Sequence, residues 1–189
     1  MEEACNNFKI AIDKEFLIRS ALIADGFPYF MHLITEHMLL NLYEDEAYQS
    51  TVRLEDFQGA VNRSVEKAEP MLKSAYDKAT KKYFDDYQEV LWSVASMKLL
   101  ENKWQDVYDR AYEGIMAGRS RRPLDQQTYY QRILRLTHAE HGRILQTNRN
   151  GWYSFSENVI RSYARLRAAE AGVDLQVDLP GPLDRLVAK

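Results

Sequence analysis

A single cysteine, Cys5, leaves the chain unable to close an internal disulfide and fits a reducing, cytoplasmic setting. Five prolines and eight glycines are too few for a collagenous, low-complexity or turn-rich all-β chain. No apolar run approaches the roughly eighteen residues that a membrane span requires, and no basic, apolar and small-residue succession opens the chain as a secretory leader would. The expectation is a soluble, cytoplasmic protein with no membrane partner. What is present is ordinary for a folded chain: 46% apolar and 28% charged residues. A length of 189 residues suits one large domain or two small ones.

Lysine is missing altogether between residues 119 and 167. That stretch holds ten arginines against three acids, Asp125, Glu140 and Glu157, a balance of +7. Residues 1–118 carry 21 acids against 13 bases, a balance of −8, and residues 168–189 stand at −2. Such asymmetry points to an anionic partner for the basic stretch. The exclusive use of arginine favours bidentate contacts to phosphates or base edges over diffuse attraction. The alternative is a basic face paired with the acidic half of the same chain.

The first half has helical periodicity. Residues 14–24 place Phe16, Leu17, Ala21 and Ala24 near one stripe, stopped by Asp25 and Gly26. Pro28 suits the first turn of the next helix, where its missing N–H costs nothing. Phe30, Leu33, Ile34, His37, Met38 and Leu42 form its broad apolar face. Residues 51–53 fit a short extended link. The helical pattern of residues 54–83 contains Pro70, which predicts a break near Glu69. Asp85 opens a further helix to Met97, with Tyr87, Leu91, Val94 and Ala95 inward.

The second half changes pattern. Asn102 and Gln105 read as a capping box for a helix from Lys103 to about Met116, ended by Gly118. A basic turn follows, Arg119-Ser-Arg121-Arg122-Pro123, and Asp125 caps a helix to about Thr137. On its wheel Tyr129, Tyr130, Ile133, Leu134 and Leu136 fill one arc, and Gln127, Thr128, Gln131, Arg132 and Arg135 the other. Asn150-Gly151 between short β-prone runs predicts a hairpin with Arg149 opposite Trp152, and with Tyr153 and Phe155 on the face of Ile144. Ser156 caps a last helix, stopped by Gly172.

Helix, helix, basic turn, polar-faced helix, hairpin and helix is the order of a winged helix, whose second helix of the helix-turn-helix pair enters the major groove of duplex DNA. Arg132 and Arg135 suit guanine O6 and N7, and Gln127 and Gln131 suit adenine N6 and N7. Thr128 shares their arc. Arg119, Arg121 and Arg122 before the helix, and Arg149 at the wing tip, are placed for phosphates. A winged helix also serves as a protein-interaction module without any DNA contact, and that reading stays open beside the first.

The segments DGFPYF at residues 25–30 and HLITEHMLL after it resemble the glycine-x-proline motif in the helical lid of AAA+ ATPases, in the origin-recognition-like and STAND-like branches. The succession ADGFPYFMHLI, VEKAEPMLKSAYDKATKKY and RILQTNRNGWYSFSENVIRSYARLR is similar to the C-terminal half of such bacterial ATPases. The resemblance implies a mainly α chain: a helical lid-like bundle over residues 1–83, a winged helix with a small β-hairpin wing over 84–172, and an irregular tail over 173–189. It also implies that Gly26 and Pro28 lie on the nucleotide side of a lid closing over adenine and ribose, and that a full-length relative uses ATP and magnesium. Read alone, Gly26-Phe27-Pro28 is first a plain interhelical turn.

The chain departs from the family in lacking a G-x-x-x-x-G-K-[ST] loop to cradle phosphates and an apolar strand ending in paired acids to hold magnesium. Asp85-Asp86 stands in a helical context and does not fill that role. The expectation is the lid and winged-helix part of a longer ATPase, or a product that lost its motor core, without hydrolysis or a cofactor of its own and partnered by duplex DNA and an ATPase core. Other chemistry is thin. His138 and His141 flank Glu140, but His32 and His37 lie in another segment, and a metal needs three or four convergent ligands. Cys5 falls at an N-terminus expected to fray. Glu2-Glu3 and Glu44-Asp45-Glu46 read as solvated ends.

Overall fold

The computed structural model describes residues 1–44, 50–81 and 86–175. The expected domain boundary between residues 83 and 84, the helix opening at Asp85, the acids Asp45 and Glu46, and the tail from residue 176 onward lie outside the described residues. The described chain is mainly helical, with a three-stranded antiparallel sheet.

After a short α1 (Glu2–Asn7), the Asp13 carboxylate accepts the Glu15 N–H at 2.9 Å and starts α2 (Lys14–Ala24). Asp25, at φ 48°, ends it in the left-handed region, and Gly26 follows at φ 84°. Two consecutive positive φ angles reverse the chain tightly, and α3 (Pro28–Glu44) begins at the proline. Thr51 forms a parallel bridge with Ala11 before α4 (Leu54–Lys67), where the Arg53 N–H donates to Asp56 Oδ2 at 2.8 Å. The expected break falls at residues 68–69, and α5 (Pro70–Thr80) restarts with the proline in its first turn. The inward stripe of α2 is Phe16, Ser20, Ile23 and Ala24. Ala21, expected inward, faces solvent.

Helix α6 (Tyr87–Ser96) has no solvent side: Tyr87 and every residue from Glu89 to Ser96 are buried, with Ser93 and Ser96 satisfied by backbone carbonyls one turn back. The predicted capping box after it does not form. Asn102 lies instead in β1 (Glu101–Lys103), its Nδ2 donating to the Leu99 carbonyl, because that segment pairs with a strand some fifty residues away. The helix starts at Trp104 as α7 (Trp104–Val107), widens into a π-helical turn (Tyr108–Tyr112) and resumes as α8 (Glu113–Ala117). Then come α9 (Gln126–Leu136), β2 (Leu145–Arg149), β3 (Trp152–Phe155) and α10 (Asn158–Glu170). The sheet order is β1-β3-β2, with Arg149 opposite Trp152 as expected and Ile144, Tyr153 and Phe155 all buried. Ser156 does not cap α10: its hydroxyl donates to the Ile144 carbonyl, closing the base of the hairpin, and Glu157 takes the cap position.

One apolar cluster runs without a break from Cys5 to Ala168, so the two expected segments share a contiguous core. Cys5 is fully buried rather than frayed, and burial pushes its thiol above the ordinary range. Helix α10 joins the segments by packing on α2, α4 and α5 on one side and α6 on the other. Among the described residues no helix is long and apolar enough to cross a membrane.

His37, on the buried face of α3, has neither ring nitrogen hydrogen-bonded among the described residues. Burial holds its pKa below the ordinary histidine value, Arg63 and Lys67 pushing the same way and Glu36 and Glu66 opposing. As pH falls below about 6.5 the unfolded chain therefore takes a proton that the folded chain refuses, and stability drops toward a limiting slope of about 1.4 kcal/mol per pH unit. Urea unfolding at pH 7.5 and 5.5 should show this loss. His37→Leu should flatten it, and an unchanged slope in that variant would assign the acid sensitivity elsewhere.

Candidate nucleic-acid interface

Helix α9 is set in place by tyrosines. The π-helical turn brings Tyr108 and Tyr112 to the backbone of one residue: the Tyr108 hydroxyl donates to the Leu124 carbonyl at 2.8 Å, and the Leu124 N–H donates to the Tyr112 hydroxyl at 3.1 Å. Both rings pack on Tyr129, at centroid distances of 5.0 and 4.6 Å. The Tyr129 hydroxyl shares a 2.7 Å hydrogen bond with Ser93 of α6, and full burial raises its phenol pKa. Two carboxylate bonds then cap the helix, since Asp125 accepts both the Thr128 N–H (2.9 Å) and the Thr128 hydroxyl (2.7 Å). Those bonds depress the Asp125 pKa. The Thr128 hydroxyl, expected to face a ligand, is thereby committed to the cap.

The exposed stripe of α9 is Gln127, Gln131, Leu134 and Arg135, continued by His138 just beyond the helix. Spacings of four, three, one and three residues keep all five on one face. Leu134, expected inward, is 38% exposed. Arg132, expected outward, points sideways instead: its Nε bonds both Asp86 oxygens at 2.9 and 3.1 Å, its guanidinium lies 5.3 Å from the Tyr87 ring centre, and its side chain is only 11% exposed. The inward arc is centred on Tyr129, Ile133 and Leu136, which leaves Arg132 at its margin.

The other predicted cations divide into three settings. Arg119 and Arg121 reach the buried Glu89 of α6, at 3.2 and 2.6 Å, with Arg119 also 5.7 Å from the Trp92 ring centre. Arg149 stacks over Trp152 at 3.7 Å and pairs with Glu101 at 3.3 Å, so strand β1 steadies the hairpin tip. Gly151 (φ 80°) brings that tip within 3.7 Å of Trp104, measured from where a Cβ would stand, and Trp104 packs on Tyr130. Arg122 and Arg135 are exposed, as is Arg143, and none has an ion-pair partner among the described residues.

The last three arginines of the basic stretch face inward. Arg161 bonds Asp25 through two nitrogens at 2.6 and 2.8 Å, Arg165 reaches Asp25 at 3.1 Å, and Arg167 lies near Asp77 and Glu170. The acidic N-terminal half thus neutralises part of the +7 stretch. Gly26 and Pro28 lie beside this junction, both exposed, and a Cβ on Gly26 would meet nothing within 4 Å. His141 is buried, its Nδ1 donating to the Ala79 carbonyl at 2.8 Å, and among the described residues no cluster could hold a metal ion.

Glu89, Asp86 and Glu101 organise the arginines in a way the sequence did not reveal, whereas Trp152 was expected opposite Arg149. Glu89 had one legible signal, as an acid immediately before the apolar run Val90-Leu91-Trp92. No known protein family, curated protein or solved structure matches this chain.

Proposed function

We propose that this chain binds duplex DNA through the exposed stripe of α9, with the β2–β3 hairpin and the residue 119–122 turn reaching the phosphates to either side. The observation that carries the reading is the stripe itself: Gln127, Gln131 and Arg135 stand four residues apart on a helix whose opposite face is fully anchored. Glutamine and arginine at that spacing offer bidentate donors to adenine and guanine edges, and the exposed Leu134 offers apolar contact to a thymine methyl. The element order from α6 to β3 and the sheet order β1-β3-β2 support assignment as a winged helix. Helices α2–α5 fit the lid of an AAA+ ATPase, with the exposed Gly26–Pro28 turn on its nucleotide side. On this reading the chain hydrolyses no ATP alone and works with a motor core.

A salt titration tests the proposal. With Arg119, Arg121 and Arg122 at the turn and Arg135, Arg143 and Arg149 beyond it, all at least partly exposed, binding of the full chain to a mixed-sequence duplex should show a log–log salt slope of about −4 to −5. A fourfold rise in salt then weakens it by more than about a hundredfold. Absence of duplex binding at low salt would remove the proposal. The pairing of Arg119, Arg121, Arg132 and Arg149 with acids, together with Leu134 in the middle of the stripe, favours a second reading, a docking face for an acidic protein segment.

A further inference from the structure

A carboxylate sealed in the core without a reason is expensive, and Glu89 is 2% exposed in the first turn of the helix buried on every side. Leucine or methionine would fill that place at lower cost. Its two oxygens face two different guanidiniums, Oε1 toward Arg119 Nη2 and Oε2 toward Arg121 Nη2. Each guanidinium has five N–H donors in a rigid fork and turns its Nη2 to Glu89, and both side chains stay about one-third exposed, 33% and 39%. Trp92 backs Arg119 from the core side. Arg122 stands beside them in solvent, so the turn keeps a net positive charge after Glu89 is counted.

We infer that Glu89 is the positioning residue of a phosphodiester clamp, holding Arg119 and Arg121 splayed so that their outer edges meet successive phosphates of a duplex. This rests on the duplex reading above and adds to it a residue that touches no nucleic acid. A core carboxylate fixes the two forks in advance, so less side-chain freedom is lost when phosphate binds. The same geometry explains why arginine rather than lysine fills both places.

The test uses the full chain and a mixed-sequence duplex, with affinity measured by anisotropy over a salt series and folding followed by circular dichroism. Glu89→Gln should weaken binding about tenfold and flatten the salt slope by about 1 to 2, as two phosphate contacts lose their geometry. Val61→Ala, a buried change on α4 away from the turn, is the control for lost stability and should leave the slope as it is. In an Arg119→Gln, Arg121→Gln background, Glu89→Gln should add no further loss. Wild-type binding with an unchanged slope in Glu89→Gln, tighter binding by that variant, or an equal loss in both backgrounds would overturn the inference alone. No binding by the wild-type chain would overturn it together with the duplex reading.

Discussion

Replacing Asp25 with alanine should lower the unfolding free energy by about 3–5 kcal/mol, the usual loss when one partner of a buried ion cluster is removed. Asp25 is the carboxylate that answers both Arg161 and Arg165, whose side chains are nine-tenths buried or more. Burial pulls the Arg165 guanidinium down to about 10, with Asp25 opposing, so it stays charged at neutral pH and needs an anion beside it. Alanine also sits badly at φ 48°, which adds about 1 kcal/mol. A chain of this size has only about 5–15 kcal/mol in total, so the variant should melt roughly 10 °C or more below wild type. Asparagine at the same position tolerates the left-handed conformation and keeps one acceptor, and should cost distinctly less. A loss under about 1 kcal/mol for alanine would mean that the two arginines reach solvent in the folded chain.

The size of that effect follows from what α10 does. Arg165 donates to the Leu22, Ala95 and Met97 carbonyls, Arg161 to the Leu99 carbonyl, and the Ser162 hydroxyl to the Ala24 carbonyl. Leu99 follows α6, and the other carbonyls lie at the C-terminal ends of α2 and α6, where cations are favoured by the helix dipole. One helix thus closes the ends of two others, one from each half of the chain, and Asp25 offsets one of the two buried positive charges.

The readable parts of this fold were those written by local chemistry. Pro28 and Pro70 fix helix starts through their own φ and missing N–H, and Asn150-Gly151 fixes the hairpin and the Arg149–Trp152 register within four residues. The illegible parts depend on distant partners. Strand β1 is three residues long and exists because Glu101 to Lys103 find Ser154 to Trp152, so its sequence mimicked a helix cap. The π-helical turn leaves no trace in composition, yet it decides which tyrosines reach Leu124. Cys5 looked terminal and is core, since α1 folds back onto the bundle. The candidate face was half legible for the same reason. Helical periodicity gave the Gln127, Gln131 and Arg135 stripe, but a wheel cannot show that Asp86, forty-six residues earlier, draws Arg132 off it.

That last difference supplies the strongest functional test. Arg135→Glu with Arg149→Glu should weaken duplex binding by about a hundredfold or more, since each reversal removes one phosphate or base contact and adds a repelled charge. Both side chains are exposed, and Arg149 gives up a surface pair with Glu101 and its stack on Trp152, so helical signal and melting temperature should move modestly. Arg132→Glu should behave in the opposite manner. It sets a second carboxylate against Asp86 at a nearly closed site beside Tyr87, and should cost about 2–4 kcal/mol of stability. If Arg132→Glu instead abolished binding in a chain that still melts like wild type, while the double reversal bound normally, the surface that meets DNA would not be the exposed stripe of α9.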